Sequence, residues 1–139
     1  MALCSVEEAI ADLQAGKFVV VVDDEKRENE GDLVLPAEKV TPDAVNFMVS
    51  HARGLLCMPI TEERLNQLRI PMVASEHTPT QLPTAFTISI DYKVGTTTGI
   101  SAFDRAATIR AMIDPNAGPE DLARPGHLFP LRYQPGGVL

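Results

Sequence analysis

The chain contains no tryptophan, few aromatics (5% of 139 residues) and only two cysteines, Cys4 and Cys57. Two cysteines cannot build a disulfide framework and suit a reducing compartment, so a cytoplasmic location is expected. Basic residues are scarce as well: 12 lysines and arginines against 19 acids leave a net charge of -7. That balance argues against nucleic acid or an anionic membrane as the main partner, and it leaves any bound phosphate to a local cationic site. No apolar run approaches the length of a membrane span, and Glu7 and Glu8 sit in a helical pattern where a signal peptide would be apolar. Repeats and low-complexity tracts are also missing. The length and a hydrophobic fraction of 45% fit one domain with a real core.

What is present is concentrated in residues 19–32, where four valines run into a loop of nearly all charged residues. The β-branched run, residues 18–22, predicts a buried strand. Six carboxylates follow, Asp23, Asp24, Glu25, Glu28, Glu30 and Asp32, balanced only by Lys26 and Arg27. Like charges in one loop are unfavourable unless a cation is bound or the loop is solvated. A loop leaving the end of a strand is where α/β proteins usually place chemistry, so this is a candidate active site; a solvated acidic turn is the alternative. Arg27 beside Glu28 offers a fork for oxyanions next to a hard oxygen ligand. Gly31 is expected to turn the backbone before a second strand over residues 32–35. An EF-hand fails on spacing, because its first ligand position would fall on Lys26; magnesium, which takes one or two carboxylates and keeps water, fits better.

Ser5 and Glu8 form a capping-box pattern for a helix that Gly16 stops, and Thr41-Pro42 opens another helix that ends before Gly54. Residues 55–58 read as a strand stopped by Pro59, 61–68 as a short helix, 72–83 as a loop and 85–90 as a half-buried strand. After the run Gly95-Thr96-Thr97-Thr98-Gly99, Ser101 and Asp104 open a helix to about Met112. That turn suits a phosphate or sugar, or is an ordinary capped turn. Residues 114–125 form a connection with one helical turn, 128–132 a last strand and 135–137 a turn. The alternation of strands and helices predicts an α+β sandwich, a mixed sheet with helices packed on it in one domain. His127, held by the Pro125-Gly126 turn with Arg124 nearby, is the histidine best placed for proton transfer. His51 and His77 carry no assigned role, and Cys57 reads as core by its apolar setting.

Five segments carry a resemblance over essentially the whole chain: residues 23–32, Gly54-Leu55-Leu56-Cys57, residues 97–105, Arg124-Pro125-Gly126-His127 and residues 134–139. In this order they resemble the 3,4-dihydroxy-2-butanone 4-phosphate synthases of riboflavin biosynthesis. The resemblance implies a lyase that converts ribulose 5-phosphate to the four-carbon phosphate and formate. It implies Mg2+ or Mn2+ as cofactor and a homodimer with sites at the subunit interface. Arg27 and Glu28 resemble the pair at the sugar phosphate, with Glu28 also a metal ligand. Asp32 resembles a substrate-hydroxyl contact with a part in proton transfer, and His127 a catalytic histidine. Thr98 and Ser101 resemble substrate contacts; Cys57 joins the catalytic set; Asp23 and Glu30 line the site.

The resemblance also implies that the family continues past Leu139 with an arginine and a Gly-His-Thr-Glu segment supplying the second metal ligand. A longer parent protein, standalone or fused to a cyclohydrolase, is therefore expected. The alternatives are a non-catalytic remnant that dimerises and a simple metal-binding module.

Overall fold

The computed structural model describes residues 3–26, 28–73 and 84–136. Ser5 opens α1 (Val6–Gln14) through a reciprocal cap: its hydroxyl accepts from the Glu8 N–H while the Glu8 carboxylate accepts from the Ser5 N–H. The chain then enters β1 (Val19–Val22), which pairs antiparallel with β2 (Gly31–Val34), Val22 opposite Gly31 and Val19 opposite Val34.

This hairpin corrects two expectations. β1 is not buried; it alternates half-buried and exposed residues, and Val20 is 61% exposed. The two strands form a sheet of their own, and one of its faces is open at Val20 and Val22. Gly31 is not the turn either, since it is already paired in β2. The left-handed residue is Asn29, at φ 53. Gly31 matters for packing: a Cβ there would lie 3.2 Å from Val20 Cγ1.

Among the described residues the main sheet has three strands, β3 (Cys57–Ile60), β4 (Ile90–Tyr92) and β5 (Leu122–Arg132), with β5 in the centre. β5 runs parallel to β3 and antiparallel to β4. The sheet is therefore mixed, as expected for the α+β class. Pro59 does not stop β3 but sits exposed inside it, where an edge strand tolerates a missing N–H. β5 starts at Leu122 rather than 128, because pairing with β4 recruits residues that locally read as a connection. The alternating run 85–90 contributes isolated bridges, Phe86 to Leu131 and Met72 to Thr87, ahead of β4. Residues 74–83, with His77 and most of the expected loop, lie outside the described residues.

Among the described residues three further α-helices pack with these strands: α2 (Pro42–His51), α3 (Glu62–Gln67) and α4 (Ala102–Ile113), capped by the hydroxyls of Thr41, Thr61 and Ser101. The left-handed residue after α2 is Arg53, at φ 63, rather than Gly54. Met58, Ile60, Ile90 and Leu128 from the sheet meet Val45, Ala106, Ile109 and Met112 from α2 and α4 in one buried cluster. Each large side chain buried this way is worth about 1.5–3 kcal/mol. Arg64 of α3 reaches across to the end of α4: Nε donates to the Met112 carbonyl at 2.9 Å and Nη2 to Ala111 and Ala117 at 3.4 and 3.3 Å. A cation there answers the unsatisfied carbonyls and the negative end of the helix dipole. Among the described residues no helix is long and apolar enough to cross a membrane.

Candidate active site

The acidic loop folds by spending its own carboxylates on its own backbone. Asp23 Oδ2 accepts from the Glu28 N–H at 3.0 Å, and Oδ1 from the Glu30 N–H at 2.8 Å. Asp24 accepts from the Lys26 N–H at 2.8 Å. Backbone N–H dipoles thereby offset part of the charge crowding. Asp23, expected among the residues lining the site, thus also folds the loop. Glu28, Glu30 and Asp32 are exposed, and Arg27 lies outside the described residues.

The main sheet brings Cys57 and His127 to one face. Cys57 pairs with Phe129, and His127 stands two residues before it on β5. Side chains alternate along a strand, so His127 and Phe129 lie opposite the buried Leu128 and Pro130. Asp32 adjoins this face: burial first, and the Asp32 charge second, push the Cys57 thiol above its ordinary value. A thiol so placed stays protonated near neutrality, unlike the thiolate of a cysteine nucleophile.

Between β4 and β5 the register breaks. Ile90 pairs with Leu128 but Asp91 pairs with Ala123, so residues 124–127 bulge without partners on β4. Gly126 makes this possible, because a Cβ there would lie 2.1 Å from the Ile90 carbonyl carbon. Its N–H donates to Ser89 Oγ at 3.1 Å. The bulge turns His127 onto Asp91: the His127 N–H donates to Oδ1 at 2.8 Å, and ring Nδ1 lies 2.8 Å from Oδ2. Asp91 is 8% exposed as a residue, whereas the His127 side chain is 39% exposed. The sequence reading passed over Asp91. Its signal was an acid closing an alternating, apolar strand, a position where a charge needs a partner.

The threonine-rich turn packs on the other side of Asp91. Asp104 of α4 accepts from the Thr97 hydroxyl at 2.8 Å and from the N–H groups of Thr97 and Gly99 at 3.2 and 3.0 Å. The Thr97 hydroxyl foremost, with Gly99, the Thr97 N–H and Ser101 behind it, holds the Asp104 carboxyl below its ordinary value against the opposing effect of burial. Gly99 sits at φ 90, and a Cβ on it would lie 2.0 Å from Asp91 Oδ2, so only glycine fits. Ser101 is the cap of α4, as the capped-turn reading expected; its hydroxyl accepts from the Asp104 N–H at 3.0 Å. Thr98 is exposed at the tip.

Three segments thus meet around Asp91, and the Asp32 charge reaches Cys57. Glu28 stands on the exposed loop, apart from any ready-made cage: among the described residues no group of three or more His, Cys, Asp or Glu is placed to hold a metal. A single exposed carboxylate still suits magnesium, which keeps water and substrate oxygens in most of its positions.

A mixed sheet backed by helices, with a carboxylate-held histidine at a sheet bulge, defines the class: an α+β domain with a polar candidate site on its sheet. Residues 7–139 match the family described as 3,4-dihydroxy-2-butanone 4-phosphate synthase. The chain is 52% identical over 139 residues to the 3,4-dihydroxy-2-butanone 4-phosphate synthase of Agrobacterium fabrum, covering all of this chain and 65% of that protein. It is 57% identical over 138 residues to the riboflavin biosynthesis protein RibBA of Aquifex aeolicus, covering 97% of this chain and 34% of that one. A 3,4-dihydroxy-2-butanone 4-phosphate synthase crystallised in complex with two magnesium ions superposes with a TM-score of 0.91 at 45% identity, over 98% of this chain and 63% of that one. The chain belongs to the 3,4-dihydroxy-2-butanone 4-phosphate synthase family. It spans about two thirds of the standalone relative and a third of the longer one.

Proposed function

We propose that this chain provides the catalytic framework for converting ribulose 5-phosphate to 3,4-dihydroxy-2-butanone 4-phosphate and formate, as a carbon-carbon lyase of riboflavin biosynthesis. The observation that carries the reading is the bulge that binds His127 to Asp91 beneath the Gly99 turn, on the sheet face that also carries Cys57.

In this reading His127 accepts the proton next to the ketose carbonyl, giving an enediol. Asp32 contacts a substrate hydroxyl and moves a second proton as water leaves. The protonated Cys57 thiol adds a weak donor on the same face. After the carbon skeleton migrates, one carbon departs as formic acid; the water lost in the dehydration is taken up again at that step, so the overall reaction is balanced. Thr98 and Ser101 at the turn, with Arg27 beside Glu28, would hold the sugar phosphate. Glu28 would hold magnesium, or manganese, and the bound ion would supply positive charge for the oxygens that turn anionic on enolisation. Leu55, Ile100 and Phe103, all exposed, flank Cys57, Gly99 and Ser101 in sequence, which supports a homodimer whose second copy covers the site.

Proton NMR of ribulose 5-phosphate in deuterated water with magnesium tests the first step without requiring the later ones. The carbinol proton beside the carbonyl is expected to exchange for deuterium in the presence of the protein. A folded, magnesium-binding chain that leaves this proton untouched would favour a metal-binding module over an enzyme.

A further inference from the structure

Asp91 has no part in the chemistry just described, yet both of its carboxylate oxygens are committed to His127. Its two oxygens take both hydrogen bonds to His127, one from the backbone N–H and one at ring Nδ1, each at 2.8 Å. It is nearly buried, and the carboxylate has no room to withdraw, since even a methyl group on Gly99 would collide with Oδ2. An ionised carboxylate only accepts hydrogen bonds. At this distance a bare Nδ1 would set one lone pair against another, so Nδ1 must carry the proton. In the neutral ring the free lone pair is then on Nε2.

We propose that Asp91 is a positioning residue that selects the Nδ1–H tautomer of His127 and so leaves Nε2 as the base. The proposal rests on the assignment of His127 as the base and adds what makes it competent. It also explains the register break. A regular antiparallel continuation of β4 and β5 would pair Asp91 with His127 through the backbone; the bulge at residues 124–127 gives the His127 N–H to the Asp91 side chain instead. Two bonds from one carboxylate fix both the backbone and the ring, so the imidazole has no freedom to rotate into the alternative tautomer's hydrogen bond.

Asp91→Asn is nearly isosteric and still offers one oxygen to the His127 N–H. Its amide nitrogen then faces Nδ1 as a donor, which forces the proton to Nε2. Nitrogen-15 NMR of the imidazole, on the chain at about pH 8, above the ordinary histidine range, reads the tautomer directly. The wild-type ring is expected as Nδ1–H and the Asp91→Asn ring as Nε2–H. In the full-length protein the variant should lose kcat by about 10⁴-fold, the scale of the tautomer defect in catalytic triads, with KM changed little. A wild-type ring protonated at Nε2, or a variant ring still protonated at Nδ1, overturns the proposal; the wild-type spectrum suffices should the variant fail to fold. A flipped ring with undiminished turnover would uphold the positioning and instead remove His127 from the chemistry, overturning the assignment of the base.

Discussion

Asp104 and Thr97 are joined twice, through the Thr97 hydroxyl at 2.8 Å and its N–H at 3.2 Å, and this pair shapes the turn that roofs Asp91. The same hydroxyl is the main reason the Asp104 carboxyl lies below its ordinary value. A carboxyl depressed by folding contributes stability that is fully present above the unfolded value. That contribution is lost as pH falls through the folded value.

Thr97→Val removes the largest of those contacts. The variant should be less stable than wild type at pH ~6, with the gap closing as pH falls below ~4, where wild type loses the contribution the variant already lacks. Urea unfolding across that range checks it. A gap independent of pH would contradict the role given to the pair.

Arg64→Met keeps the stem and removes the donors that close α4. The orphaned carbonyls of Met112, Ala111 and Ala117 should cost about 2 kcal/mol, or roughly 6–10 °C in Tm. Thermal unfolding followed by circular dichroism reads this. An unchanged Tm would mean that water satisfies those carbonyls equally well.

Asp32→Asn removes the charge that adds to burial in raising the Cys57 thiol. In a Cys4→Ser background, the pH midpoint of Cys57 alkylation should fall, though only part of the way, because burial is the larger cause and stays. An unmoved midpoint would separate Asp32 from Cys57 and weaken the case for a shared site.

Glu28→Gln should abolish turnover in the full-length protein and change stability by less than about 0.5 kcal/mol, because the residue is exposed on a loop folded by Asp23. Turnover retained at saturating magnesium would refute the ligand role.

His127→Asn should lower kcat by about 10²–10⁴-fold with little change in KM, the signature of a lost proton acceptor. Steady-state kinetics separates the two. A defect confined to KM would make His127 a binding residue.

The helix starts were legible because each is written within four residues: Ser5 with Glu8, Thr41 with Ala44, Ser101 with Asp104. The acidic loop and His127 were legible as residue types in unusual settings. Register was not. Whether Leu122 belongs to a strand depends on Tyr92, thirty residues away in sequence, and four successive valines carry no polar alternation to reveal an open face. Asp91 escaped for the same reason. Its partner lies 36 residues away and meets it only because Gly126 lets β5 bulge against Ile90. The loop-folding role of Asp23 was hidden because a carboxylate serving backbone N–H groups looks, in sequence, like one waiting for a ligand.

The most direct measurement is carbon NMR of ribulose 5-phosphate incubated with the full-length protein and magnesium. The account expects formate and the four-carbon phosphate in equal amounts, with both absent from Glu28→Gln and formed about 10²–10⁴-fold more slowly by His127→Asn. A folded protein that binds the sugar phosphate and releases no formate would contradict it.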